Sequence, residues 1–154
     1  MKTWFMLVLA AILAASVADA SQTVNFPGTP LPAEMYFTTS NSSANTFRTL
    51  LTATGVTDCN SFVASNNDSV SHGITLQIYP SAAVAPSLSI SVTVNALSTS
   101  PLFGDAIATG FAQDQNQNRY VRIGTGDTIQ VAYATALSAG ATVGVIANCS
   151  TGYN

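Results

Sequence analysis

Short runs in which apolar and polar residues alternate recur along most of this chain. The clearest is 88–94, where leucine, isoleucine and valine occupy every second position and serine or threonine the positions between. A period of two is typical of a β-strand with one buried and one solvated face. Similar runs, separated by Gly, Pro, Asn and Asp, are found at 35–39, 47–53, 74–79, 106–113, 119–123, 128–135 and 142–149. The pattern therefore predicts about eight short strands, although 47–53 fits helical spacing equally well.

These runs predict an all-β fold, because no stretch keeps a helical period across three turns. Eight or so short strands between turn residues favour an antiparallel β-sandwich, formed by residues 33–154 as a single domain. The strand phase places Tyr133 in the core of that sandwich. An immunoglobulin-like order of strands and a jelly-roll order agree equally well with the pattern, and so does a closed barrel.

The first twenty residues have the features of a secretory signal peptide. A basic start at Lys2 is followed by an apolar run at 4–15 and by small residues at Ala18 and Ala20, the usual positions before a cleavage site. The apolar run is shorter than the roughly 20 residues that a membrane helix needs. We therefore predict a secreted protein, extracellular or at the cell surface, with residues 1–20 removed and without a membrane span.

Residues 21–32 form a proline-rich segment ahead of the predicted domain. Three prolines after residue 26 exclude a helix and disfavour a central strand. Val24 and Phe26 share one face of this segment when it is extended. We predict an extended N-terminal arm that pairs along a sheet edge, with Val24 and Phe26 inserted into a neighbouring molecule during assembly.

Charged residues are scarce, and their scarcity limits the range of functions. After residue 20 the chain contains six acidic residues, three arginines and no lysine, which is a net charge of −3. A chain without a basic patch is a poor partner for nucleic acid or for an anionic membrane surface. The absence of lysine also leaves the strand edges without the charge that normally discourages edge-to-edge pairing.

Few side chains are suited to catalysis. His72 is the one histidine, and neither serine near it lies in a Gly-x-Ser-x-Gly elbow, so we interpret it as an exposed loop residue. Glu34 is the one glutamate, and it has no evident partner for a pair of catalytic carboxylates. We therefore predict that the protein is not an enzyme and that it requires no cofactor.

One polar segment is a candidate for a metal site. Asp114, Asn116 and Asn118 place oxygen-bearing side chains at alternate positions, as the start of a calcium loop does. The sixth position of such a loop is Arg119 here in place of glycine, and the twelfth is Thr125 in place of glutamate. A polar hairpin tip is the favoured interpretation, and a weak calcium site at Asp114 is the alternative.

Both cysteines, Cys59 and Cys149, follow the predicted signal peptide. In a secreted chain they are expected to form a disulfide that closes a loop of about 90 residues. A zinc site is the weaker interpretation, because two cysteines and one histidine supply at most three ligands, at no recognised spacing.

Three Asn-X-Ser triplets are present, and two of them lie in polar stretches that are typical of surface loops. These two are centred on Asn41 and Asn67, which we regard as candidate N-glycosylation sites. The third triplet begins at Asn148 and contains a predicted half-cystine as its middle residue, which makes it the weakest of the three.

Two functions agree with these features. The first, which we prefer, is a structural or adhesive subunit that assembles with itself or with other extracellular proteins in a fibre, coat or surface layer. Uncharged edges and a detachable arm favour such assembly by strand exchange. The second is a lectin-like module that binds carbohydrate, with Tyr79 and Tyr120 stacked on sugar rings and Asn116 and Asn118 as hydrogen-bonding residues.

Overall fold

Strands make up the regular structure of the computed structural model, which describes residues 28–102, 112–113 and 119–152. Within these residues the strands are β1 (Thr29–Thr38), β2 (Arg48–Thr52), β3 (Thr57–Asn66), β4 (His72–Tyr79), β5 (Leu88–Val94), β6 (Ser98–Pro101), β7 (Ala112–Gln113), β8 (Arg119–Ile123), β9 (Thr128–Tyr133) and β10 (Thr142–Thr151). The predicted all-β class is confirmed, and the ambiguous run 47–53 contains strand β2. No helix able to cross a membrane is found in the described part of the chain.

The strands form two antiparallel sheets. In the first sheet β10 lies between β1 and β3, and the other side of β3 pairs with β8 near its start and with β6 near its end. Strand β7 extends this sheet beyond β8. The second sheet has the order β2-β9-β4-β5. The predicted antiparallel β-sandwich is therefore confirmed.

The order of the strands also decides the topology that the residue pattern left open. When β7 and β8, which pair with each other between β6 and β9 in the chain, are set aside, eight strands remain. They pair first with last, second with seventh, third with sixth and fourth with fifth. This arrangement is a long hairpin rolled up into two sheets, which is the jelly-roll order and not the immunoglobulin order.

One hydrophobic core lies between the sheets, and both contribute every second residue to it. Strand β5 follows the predicted alternation, since Ile90 and Val94 are buried while Ser91 is exposed. Tyr133 is buried as predicted, and its hydroxyl donates a hydrogen bond to the Ser42 carbonyl at 3.1 Å. The largest fully buried side chains also include Phe37, Phe62, Ile74, Leu76, Leu102, Ile123 and Ile129.

Strand β3 is ten residues long and is not evident from the residue pattern. Its alternation is broken where it pairs with β10, because the register shifts between Asn148 and Cys149. Near its start lies Asp58, which is buried, pairs directly with Arg122 of β8 and accepts two hydrogen bonds from that guanidinium at 2.7 Å each. A search for alternating apolar residues misses this strand, because an acid occupies a buried position and the pairing with β10 is irregular.

Cys59 and Cys149 form the predicted disulfide. They face each other across the β3–β10 pair, with their Cα atoms 4.0 Å apart, and both are buried. The bond joins residues 90 positions apart, so it connects the third strand to the last. It therefore closes most of the domain into one covalent loop.

The N-terminal end of the sheet lies earlier than the predicted domain boundary. Strand β1 begins at Thr29, so the last four residues of the predicted arm pair with the end of β10. The rest of the arm, with Val24 and Phe26, lies outside the described residues.

Candidate functional site

Strand β1 lies at one edge of the first sheet, and both halves of its outer side are protected. In the first half, Pro30 and Pro32 have no N–H group to offer an added strand. In the second half, the Asn41 side chain takes the place of a strand. Its Oδ1 accepts a hydrogen bond from the Thr38 amide at 2.8 Å, and its Nδ2 donates to the Tyr36 carbonyl at 3.1 Å. This edge is therefore blocked without any lysine.

Strand β5 lies at an edge of the second sheet and lacks such protection. No described strand pairs with its outer side. Its seven residues contain neither charge nor proline, and they pair with β4 without a register shift. Strand β2, at the opposite edge of this sheet, has only five residues, includes Arg48, and has an irregular register between Thr49 and Leu51. An uncharged strand of high β-propensity with a free side is prone to pair with another chain.

The outer face of the second sheet is an uncharged array of hydroxyl and amide groups. Strands β4, β5 and β9 contain no Asp, Glu, Lys or Arg. Thr75 and Ser91 form a hydroxyl–hydroxyl hydrogen bond of 2.7 Å across β4 and β5, and Gln77 donates to the Ser89 hydroxyl at 3.3 Å. Tyr79 follows on the same face at the end of β4, and it is half-buried. The face can offer hydrogen bonds at many points without the cost of desolvating a charge.

Three loops are joined at one end of the sandwich, and Asn66 at the end of β3 connects two of them. Its Nδ2 donates to the carbonyls of Val70, Val94 and Asn95, and its Oδ1 accepts a hydrogen bond from the Asp68 amide. Asn66 is buried, so these bonds satisfy a polar group that would otherwise be costly inside the protein. The β3–β4 and β5–β6 loops are therefore held together by one side chain.

Asp68 connects a third loop to the same end. Its carboxylate accepts a hydrogen bond from the Ser138 amide at 2.8 Å and another from His72 Nε2 at 3.0 Å, and the Val70 amide lies at 3.3 Å. The Ser138 backbone amide lowers the pKa of Asp68 most, followed by the Ser138 side chain, and His72 and the Val70 amide lower it further. Burial opposes this effect, but the pKa of Asp68 remains well below its ordinary value. The carboxylate is therefore held in its charged form.

His72 is not the exposed loop residue that the sequence indicated. It is the first residue of β4, and its side chain is completely buried, with its ring 6.2 Å from that of Tyr133. Nε2 lies against the Asp68 carboxylate, and Nδ1 has no hydrogen-bond partner among the described residues. In the sequence, the one sign of this pair is that Asp68 precedes His72 by four residues. A search for a serine that could act as a nucleophile with His72 does not consider this pair.

No nucleophile completes a catalytic arrangement in this cluster. The Ser69 hydroxyl contacts the Asp68 carboxylate and not the His72 ring. Within the described ranges, no group of three or more His, Cys, Asp or Glu side chains is placed to hold a metal ion. The described contacts of Asp68 and His72 are thus those of a structural pair that joins loops.

Leu97 has an unusual backbone conformation at the loop end. It has a backbone φ of 51° and a side chain that is 74% exposed. The left-handed conformation costs a leucine roughly 1 kcal/mol, and the Leu97 amide is held there by a 3.0 Å hydrogen bond to the Asp68 carbonyl. Shallow depressions of about 280 and 270 Å³ lie on either side, and Leu97 and Asn67 line both. An exposed apolar side chain thus borders two shallow depressions.

No protein-family model, no curated protein and no solved structure matches this chain.

The predicted site residues are not brought together by any described contact. Tyr79 lies on the outer face of the second sheet, whereas Tyr120 lies in β8 of the first sheet, with the Arg122 guanidinium 5.6 Å from its ring centre. Asn41 and Asn67 lie in the loops that follow β1 and β3. The three polar residues of the proposed calcium segment, Asp114, Asn116 and Asn118, lie outside the described residues.

Proposed function

We propose that the protein is a secreted structural or adhesive subunit, whose copies join into an extracellular fibre, coat or surface layer. The observation that carries this proposal is the contrast between the sheet edges. Proline and the Asn41 side chain block β1, and the irregular β2 carries an arginine, while the uncharged β5 has no described strand on its outer side. Of these three edges, β5 is therefore the one best suited to pair with a strand of another chain.

The strand that joins β5 is, in this proposal, the N-terminal arm of a neighbouring copy. Main-chain hydrogen bonds to β5 supply most of the attraction, and Val24 and Phe26 bury their side chains against the neighbour. Arm and edge are different surfaces, so each copy can donate to one neighbour and accept from another. Such a head-to-tail contact continues into a filament unless its rotation closes a ring.

The test is whether the assembly of the secreted protein depends on the β5 edge. We expect filaments or sheets by negative-stain electron microscopy, and a mass well above that of a monomer by light scattering. Replacing Ser91 and Thr93 with lysine is expected to reduce the assembled fraction at least tenfold, because lysines on an edge strand discourage pairing with another strand. Deleting residues 22–26 is expected to have the same effect.

The matched control replaces Thr49 and Thr52 with lysine. These residues are also exposed and also lie on an edge strand of the second sheet, but at the opposite edge, in β2. This variant is expected to assemble like the wild type. A monomeric wild-type protein would refute the structural role, and equal loss of assembly in both lysine variants would refute the use of the β5 edge.

A carbohydrate-binding module is the second candidate, and the outer face of the second sheet favours it. Tyr79 at the end of β4 lies beside the hydroxyl and amide groups of Gln77 and its neighbours, a combination that suits the apolar and polar faces of a sugar ring. On a glycan array, Tyr79→Ala is expected to abolish any specific signal that this face produces, and Tyr120→Ala to leave it unchanged.

A further inference from the structure

The two candidate glycosylation sites differ in whether the nitrogen that would carry a sugar is free. At Asn67 the side-chain Oδ1 accepts a hydrogen bond from the Thr142 amide, and its Nδ2 makes no hydrogen bond to any described residue. At Asn41 both side-chain atoms are engaged, because Oδ1 accepts from Thr38 and Nδ2 donates to Tyr36. An N-linked sugar replaces one of the two Nδ2 hydrogens. At Asn67 this costs no described hydrogen bond, whereas at Asn41 the remaining hydrogen would have to keep the bond to Tyr36.

The surroundings of Asn67 are suited to a sugar ring. The two depressions beside it are near the lower limit of roughly 300 Å³ for ligand sites, a size that suits a single ring. Serine and threonine side chains at Ser98, Thr99 and Thr142 line one of them and offer hydrogen bonds. Leu97 lines both and exposes most of its side chain, which is the kind of surface that covers the apolar C–H face of a sugar.

We propose that Asn67 carries an N-linked glycan and that its first N-acetylglucosamine lies against Leu97. The oligosaccharide comes from a lipid diphosphate donor of the secretory pathway. The bond between its C1 carbon and the diphosphate oxygen breaks, a C1–Nδ2 bond forms, and Nδ2 loses one proton. The modification accounts for an apolar residue held exposed in a left-handed conformation. It depends on export to the secretory pathway, which is part of the proposed function.

Occupancy is tested by expressing the protein behind a heterologous secretory leader in a eukaryotic cell, so that a failure of its own leader does not affect the result. Peptides are released after enzymatic removal of glycans in ¹⁸O water and analysed by mass spectrometry. We expect Asn67 to be labelled in most molecules, and in a larger fraction of them than Asn41. Ser69→Ala should remove the glycan, and the matched change Ser43→Ala should leave the mass shift unchanged. An unlabelled Asn67 overturns the proposal.

The contact with Leu97 is tested by combining two substitutions. Ser69→Ala is expected to lower Tm by about 3 °C when residue 97 is leucine, and by less than about 1 °C in the Leu97→Gly background, where the sugar has nothing to cover. Ser69→Thr keeps the glycan and should restore the wild-type Tm. Equal losses in the two backgrounds would show that the sugar does not rest on Leu97. Assembly is not measured here, so failure of the filament proposal would leave this result intact.

Discussion

Removal of the disulfide is expected to destabilise this domain strongly. Replacing Cys59 and Cys149 together with alanine should lower the free energy of unfolding by about 4 kcal/mol and Tm by roughly 15 °C. The reason is the size of the closed loop. The bond joins residues 90 positions apart, so it removes a large part of the conformational freedom of the unfolded chain.

Thermal unfolding followed by circular dichroism measures this effect. Alanine is preferred to serine because both positions are buried, and a buried hydroxyl would add a penalty of its own. Wild-type protein unfolded and refolded in the presence of a reductant provides the control, since it lacks the bond but keeps the side chains. A fall in Tm of less than about 5 °C in the double variant would contradict the loop argument.

Acid is expected to act on the loop end of the sandwich through Asp68. The pKa of this carboxyl lies below its ordinary value of 3.8 in the folded protein, so folding favours the charged form. The stabilisation is therefore fully present above about pH 5 and is lost progressively as the pH falls through 3.8 towards the lower, folded-state pKa. Protonation also weakens the hydrogen bonds that Asp68 accepts from Ser138 and His72.

Asp68→Asn tests this expectation. The variant keeps the shape of the side chain but not its charge, so it should have a Tm several degrees lower than the wild type at pH 7. It should also lose less of its remaining stability between pH 5 and pH 2. Glu34→Gln removes one exposed carboxylate from β1 and should leave Tm at pH 7 within a degree or so. Parallel curves of Tm against pH for the Asp68→Asn variant and the wild type would rule out this role.

The fold class could be predicted from the sequence because alternation is a local property. Strand β5 shows this best, since its burial repeats the alternation of its residues. The topology could not be predicted, because it depends on which distant strands pair. For example, Leu31 pairs with Cys149, and the residue pattern of neither segment indicates this pairing. Strand β3 escaped detection because a register shift and the buried Asp58 interrupt its pattern.

The candidate surfaces were less predictable than the fold. The absence of lysine predicted that every sheet edge lacks protection against pairing. At the β1 edge, however, the Asn41 side chain and two prolines block pairing without any charge. The burial of His72 depends on a carboxylate and on loops from three parts of the chain. The left-handed backbone of Leu97 is equally invisible in the sequence, because leucine is among the residues that adopt it least readily.

Pairing of the first strand with the last has a consequence for the order of events during synthesis. Strand β10 fills the space between β1 and β3, so the first sheet is incomplete until the last strand has left the ribosome. Neither the Cys59–Cys149 bond nor the β1–β10 ladder can form before then. Contacts so distant in sequence form slowly. The domain therefore completes its structure only after its last strand has been synthesised, and the disulfide closes the covalent loop at that stage.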